Sequence, residues 1–210
     1  MNNAPEDDHD HGTILPDLEF HSPGRFAIHN PPSTEHRPDS LLEPAPFVLG
    51  ASAGLQRSDS PAQLRSHALA LIQQARRTLQ LYSPDLEPWL YDQREIAEAC
   101  ARLLREHPRN RLQILVRDSR LALRSGHALL RLARQLPSNC QIRRLHPDQP
   151  HDDIAFLLAD DCGLLLRRQP QLQTGQVHYS DRARVRQLQR LFVQAWDTSQ
   201  SDPDLRSLLL

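Results

Sequence analysis

The sequence predicts an α/β domain, a mixed and mostly parallel sheet flanked by helices, with a disordered N-terminal arm ahead of it. Three observations carry that prediction. From Ser60 onward, segments with helical periodicity alternate with short β-rich runs. The links between these segments are short, which favours strand, helix, strand units whose crossovers make neighbouring strands parallel. Upstream of Ser60 the chain is polar and punctuated by proline, with no sustained period of either kind.

Residues 1–60 hold 8 of the 17 prolines and 5 of the 11 histidines, and ten acidic residues against three arginines give them a net charge of −7. Ordering residues 1–46 costs more conformational entropy than so few apolar side chains return on burial. Leu18-Glu19-Phe20 and the run from Arg25 to His29 are short exceptions, patterned as extended segments that dock on the body. Phe47-Val48-Leu49-Gly50 is an apolar anchor near the boundary. The expected organisation is an acidic arm over 1–46, an α/β domain over 47–198 and a frayed tail over 199–210.

Within the domain, Ser60-Pro61 supplies a capping hydroxyl and a proline suited to the first helical position. Leu64, Ala68, Leu71, Ile72, Ala75 and Leu79 then fall at spacings that share one helical face. Leu79 to Ser83 reads as a strand stopped by Pro84. Asp92 and Glu95 have the spacing of a capping box, and Ile96, Ala99, Cys100, Leu103 and Leu104 form the buried stripe of the helix behind it. Leu112 to Val116 is a second strand. Ser119 to Leu136 is helical, with Gly126 as an interruption, and Gln141 to Leu145 is a third strand. Ile154 to Ala159 and Gly163 to Arg167 form a hairpin with an acidic turn. The last helix spans about Arg182 to Thr198, with Leu188, Leu191, Phe192, Ala195 and Trp196 on one stripe.

Every basic residue is an arginine, and the total charge of −1 conceals a basic body of +6 over residues 61–210. Cys100, Cys140 and Cys162 are odd in number and widely spaced, without a Cys-x-x-Cys pair, which fits a reducing cytoplasm. Acidic residues stand where a secretory signal needs positive charge, and no segment reaches the length of a membrane span, so the chain is expected to be soluble and unexported.

The stretch from Phe156 to Arg168, followed by the helix ending Leu191-Phe192-Val193-Gln194-Ala195-Trp196, resembles the end of a phospholipase D-like half-domain. In that superfamily a histidine, and a lysine two residues on, precede a strand ending in aspartate, and a hairpin leads on to a Gly-Ser pair. The resemblance puts Asp153 at the histidine position, Ala155 at the lysine position and Asp160 on the aspartate, with Arg167-Arg168 in place of Gly-Ser. It therefore implies a catalytically degenerate domain. The histidine must attack phosphorus and the lysine must neutralise oxygens gaining charge, and alanine does neither. A register shift onto His151 leaves Asp153 at the lysine position and Leu158 at the aspartate, a poorer match. Over about residues 60–198, with Ser83-Pro84-Asp85-Leu86 and Leu90-Tyr91-Asp92 among the shared pieces, the chain also resembles an uncharacterised group of proteobacterial proteins sometimes labelled acetyltransferases. Acetyl transfer needs a Gln/Arg-x-x-Gly-x-Gly/Ala turn, and Arg124-Ser125-Gly126-His127 has the wrong spacing.

The remaining functional signal lies in arginine. In an α/β sheet, ligands collect at the carboxyl ends of the strands, where Arg117, Arg143, Arg167 and Arg168 fall, with His178 after the hairpin. Such groups fork onto phosphate or carboxylate oxygens, which makes an anionic ligand or nucleic acid the first expected partner. The alternative is an ordinary charged surface on a protein-interaction or self-associating module, a homodimer included. His9-Asp10-His11 and the group His151, Asp152, Asp153, Asp160 and Asp161 match no ligand spacing of a metal site, so neither metal nor cofactor is expected.

Overall fold

A hydroxyl and a proline start the first helix where the sequence places it. In the computed structural model, which describes residues 41–147 and 154–201, Ser60 Oγ accepts the Gln63 N–H and Pro61 opens α1 (Pro61–Gln74). Before it lies β1 (Leu55–Ser58). After it come β2 (Thr78–Ser83), the single turn α2 (Pro88–Tyr91), α3 (Arg94–Glu106) and β3 (Arg111–Val116). The chain continues through α4 (Arg120–Ser125), α5 (Ala128–Gln135), β4 (Cys140–Arg144), β5 (Ala155–Ala159), β6 (Gly163–Arg167), β7 (Gly175–His178) and α6 (Arg182–Thr198).

Among the described residues seven strands form one sheet in the order β1-β7-β6-β5-β2-β3-β4. Parallel pairing is confined to β2 with β3 and β3 with β4; β2 with β5, β5 with β6, β6 with β7 and β1 with β7 are antiparallel. The sheet is mixed, as expected, but its parallel share is smaller than the helix–strand alternation predicts. The difference arises after β5, where short links with no crossover helix reverse the chain.

Alternation along the strands separates two cores. Leu79, Leu81, Ile114, Leu157, Leu165 and Val177 face α1, α3 and α5. Tyr82, Leu115, Phe156, Leu158, Leu164 and Leu166 face α6, where Phe156 stacks on Tyr82 at 5.1 Å and meets Phe192 edge-on at 6.5 Å. The result is a three-layer arrangement of helices, sheet and helix.

Local chemistry explains two departures from expectation. Asp92 and Glu95 do not form a capping box: α3 starts after Gln93 without a side-chain cap. Asp92 Oδ1 instead accepts the Ala128 N–H at 2.8 Å, at the start of α5, and Glu95 Oε1 accepts the Leu42 N–H at 3.2 Å. Both carboxylates serve amides distant in sequence. The helix expected from Ser119 to Leu136 breaks at Gly126, whose φ of +63° ends α4.

At the margins, Leu42, Ala45 and Phe47 pack on the larger core, with Phe47 stacked on His67 and Tyr179 at 5.5 and 5.2 Å. Gln200 bridges Arg144 beside β4. The rest of the expected arm, the remainder of the tail and Asp153 lie outside the described residues. Among the described residues no helix is long and apolar enough to cross a membrane.

Candidate functional site

Three strands end together where the parallel segment of the sheet stops. Val116 ends β3 against Ser83 of β2, Phe156 of β5 pairs with Tyr82, and Ala155, one residue earlier in β5, pairs with Arg167 of β6. Ser83, Ala155 and Arg167 thus occupy neighbouring rungs on the α1 side of the sheet. The β2–α2 loop folds over them. In it, Leu86 and Glu87 adopt left-handed backbone angles, φ +70° and +41°, a costly conformation for residues with side chains. Ser83 Oγ accepts the Leu86 N–H at 3.1 Å and donates to Glu87 Oε2 at 3.1 Å, while Asp85 Oδ1 accepts the Glu87 N–H at 2.9 Å.

This loop sets a carboxylate against Arg167. Glu87 and Arg167, 2% and 1% exposed, form an ion pair beneath the surface. The guanidinium lies 4.8 Å from the centre of the Trp89 ring and donates to the carbonyls of Pro170 and Leu172 in the β6–β7 loop. Burial pulls the Arg167 pKa down to about 10. A cavity of about 300 Å³ opens beside the pair, lined by Pro84, Asp85, Glu87, Trp89, Arg117, Pro170 and Gln171. Burial there raises the Asp85 carboxyl above its ordinary range.

Arg168 points the other way. Successive strand residues face opposite sides, so the Arg167-Arg168 pair is split by the sheet. Arg168 is shared by two adjoining grooves on the α6 side. One, of about 310 Å³, includes Arg57, Asp59 and Gln176; the other, of about 520 Å³, includes Ile154, Arg184, Gln187 and Leu191. Arg182, Arg184, Arg186 and Arg190 are exposed along α6.

The residues predicted from sequence do not converge on one pocket. Arg117 lines the strand-end cavity, and Arg167 is held beside it by Glu87. Arg143 lies on the α6 side with its guanidinium 4.5 Å over the Trp196 ring. His178 also lies on that side, its Nε2 accepting from Arg184 Nη1 at 2.8 Å, and burial followed by the Arg184 charge lowers its pKa. Arg167 and His178 are therefore on opposite faces. Ala155 is buried at the start of β5. Asp160 sits at the far end of β2, where its carboxylate accepts the N–H groups of Arg76, Arg77 and Thr78 at 2.8, 2.9 and 3.0 Å. Among the described residues no group of three or more His, Cys, Asp or Glu side chains is placed to hold a metal ion.

Comparison with known proteins fits this geometry. Residues 60–208 match a domain of unknown function, DUF7931. The chain belongs to the DUF7931 family. No curated protein sequence matches it. Solved structures show that the DUF7931 domain has a phospholipase D-like fold. Nuc from Salmonella typhimurium, a phospholipase D family member, superposes with a TM-score of 0.51 at 14% identity, covering 74% of this chain and 99% of Nuc. NucT from Helicobacter pylori gives 0.51 at 10% identity, covering 72% and 100%. TrmBL2, an archaeal chromatin protein whose structure shows a novel mode of DNA binding, gives 0.52 at 12% identity, covering 70% of this chain and 54% of that one. The DUF7931 chain thus spans about half the length of TrmBL2 and nearly all of Nuc.

Sequence reasoning missed Glu87, Arg57 and Arg184 of this DUF7931 domain, and read Trp89 as a core or loop-packing residue. A signal for Glu87 was present: Ser83-Pro84-Asp85-Leu86-Glu87 is a polar loop directly after a strand, where α/β sheets place ligand groups. Arg57 had no such signal, because β1 is only four residues long.

Proposed function

We propose that this domain binds the phosphate backbone of a nucleic acid and does not cleave it. The observation that carries this reading is the set of arginines on the α6 side, where Arg57, Arg168 and Arg184 line two adjoining grooves that share Arg168. Guanidinium groups spread along a surface suit a polyanion, since each neutralised phosphate releases counterions. TrmBL2, which shares the fold, is described as binding DNA. The non-catalytic part of the reading is supported by Ala155, which brings no cation to the position where phospholipase D-like enzymes carry lysine. It is supported further by Glu87, which neutralises Arg167 across from it.

Fluorescence anisotropy with labelled single- and double-stranded DNA tests the binding. The logarithm of the affinity for duplex should fall linearly with that of salt, with a slope of about −0.9 per phosphate neutralised. An Arg168→Ala/Arg184→Ala double variant should bind more weakly and flatten the slope by about 1.8. Unchanged binding in that variant would displace the site, and no binding at low salt would refute the function. Phosphodiester turnover abolished by His151→Ala would overturn the non-catalytic part.

A further inference from the structure

The buried carboxylate at the strand ends stands where an oxyanion ligand would sit. We propose that Arg167 and Ser83 form a site for a phosphate monoester at the strand-end cavity, and that Glu87 is a built-in anion that keeps this site closed. The site is separate from the α6 grooves, because Arg167 and Arg168 project from opposite faces of the sheet.

Glu87 already makes the contacts a phosphate would make. One oxygen faces the Arg167 guanidinium and the other accepts from Ser83 Oγ. Both are charge-assisted interactions of the kind that hold phosphate oxygens. The room for an incoming group is present, since the cavity of about 300 Å³ has Glu87 itself in its wall and Arg117 as a further cation. A phosphate monoester carries close to two negative charges at neutral pH, against one on the carboxylate. Trp89 stays in place behind the guanidinium, and the carbonyls of Pro170 and Leu172 fix its orientation.

The loop that carries the carboxylate holds strained backbone. Leu86 and Glu87 both have positive φ, and such residues persist only where surrounding contacts impose the conformation. Those contacts include Ser83 Oγ and Asp85 Oδ1, the burial of the Leu86 side chain in the larger core and the Leu90 and Tyr91 N–H groups on the Glu87 carbonyl. Swinging Glu87 out of the slot releases that conformation and hands Arg167 and Ser83 to the ligand. A tethered carboxylate competes at high effective concentration, so the closed form binds free phosphate weakly.

Isothermal titration of the full chain with inorganic phosphate, in low-chloride buffer at pH 7.5, tests the proposal. Glu87→Gln should bind phosphate at least tenfold more tightly than the unsubstituted protein, and Glu87→Gln/Arg167→Met should lose the gain. Glu87→Asp, whose carboxylate is withdrawn by one methylene, should show a smaller gain of the same sign, and it decides the matter if Glu87→Gln does not fold. Affinity no higher than that of the unsubstituted protein in the folded variants would overturn the proposal. So would a gain that survives removal of Arg167, which would place the ligand elsewhere.

Discussion

Asp160 shows how one turn residue can join two distant segments. Its carboxylate receives three successive amides from Arg76, Arg77 and Thr78, and its own N–H donates to the Thr78 carbonyl at 2.9 Å. Its φ of +52° is tolerated better by Asp or Asn than by residues without a short polar side chain. Asp160→Ala loses the acceptors and adds backbone strain, and should cost about 2–4 kcal/mol in urea unfolding. Asp160→Asn keeps one oxygen and the backbone preference, and should cost about 1 kcal/mol. Equal losses would show that the carboxylate does not tie the turn to β2. The adjacent arginines make a second contrast. Arg167→Ala strands Glu87 in a buried slot and should cost about 3–5 kcal/mol. Arg168→Ala, at an exposed position, should stay within about 0.5 kcal/mol in the same assay.

At the scale of elements, the helices were legible because their signals are local. Ser60-Pro61 starts α1, Gly126 separates α4 from α5, and the apolar stripe of α6 runs over the predicted span. The hairpin of β5 and β6 was legible as two apolar runs around an acidic turn. What was hidden depends on partners far away in sequence. β1 and β7 are four residues each and exist by pairing, β7 on β6 and β1 on β7, with Leu55 opposite His178 and Ser58 opposite Gly175. The spacing of Asp92 and Glu95 imitated a local cap, while the structure uses both on remote amides. The candidate site was half legible for the same reason. Arg117 and Arg167 fell at strand ends in the sequence, but the carboxylate facing Arg167 arrives from another strand's loop, and face alternation separates Arg168 from it. Asp92→Ala should therefore loosen the start of α5, costing about 1 kcal/mol, the usual cost of losing an N-terminal cap. Amide hydrogen exchange should rise at Ala128 and Leu129; a rise at the start of α3 instead would restore the capping-box reading.

At the scale of the molecule, three buried histidines among the described residues connect the layers, and each is shifted in the same direction. His67 on α1 meets the Tyr179 hydroxyl at 2.9 Å, beyond the end of β7. His127 precedes α5, its Nδ1 accepting the Leu129 N–H at 3.1 Å, and His178 joins β7 to Arg184 of α6. Burial is the leading cause that lowers all three pKa values. The unfolded chain, with ordinary histidines near 6.5, therefore binds more protons than the folded one as the pH falls from about 7 toward the lowered values. Stability must drop across that window, by up to about 1.4 kcal/mol per pH unit for each histidine. Asp85, raised by burial, acts in the opposite sense only in the acid range above the ordinary carboxyl value, and Asp118, held down to about 2 mainly by the Arg120 side chain, adds loss only below it. The midpoint of thermal unfolding, followed by calorimetry at constant ionic strength, should fall from pH 7.5 to 5.5. His127 gives the effect a structural cause, since a proton on Nδ1 removes the acceptor at the start of α5. His127→Gln should lower the midpoint at pH 7.5 and make it less steep with pH. A midpoint independent of pH would mean that the three rings take up protons in the folded protein as readily as in the unfolded chain, and the proton linkage would fail.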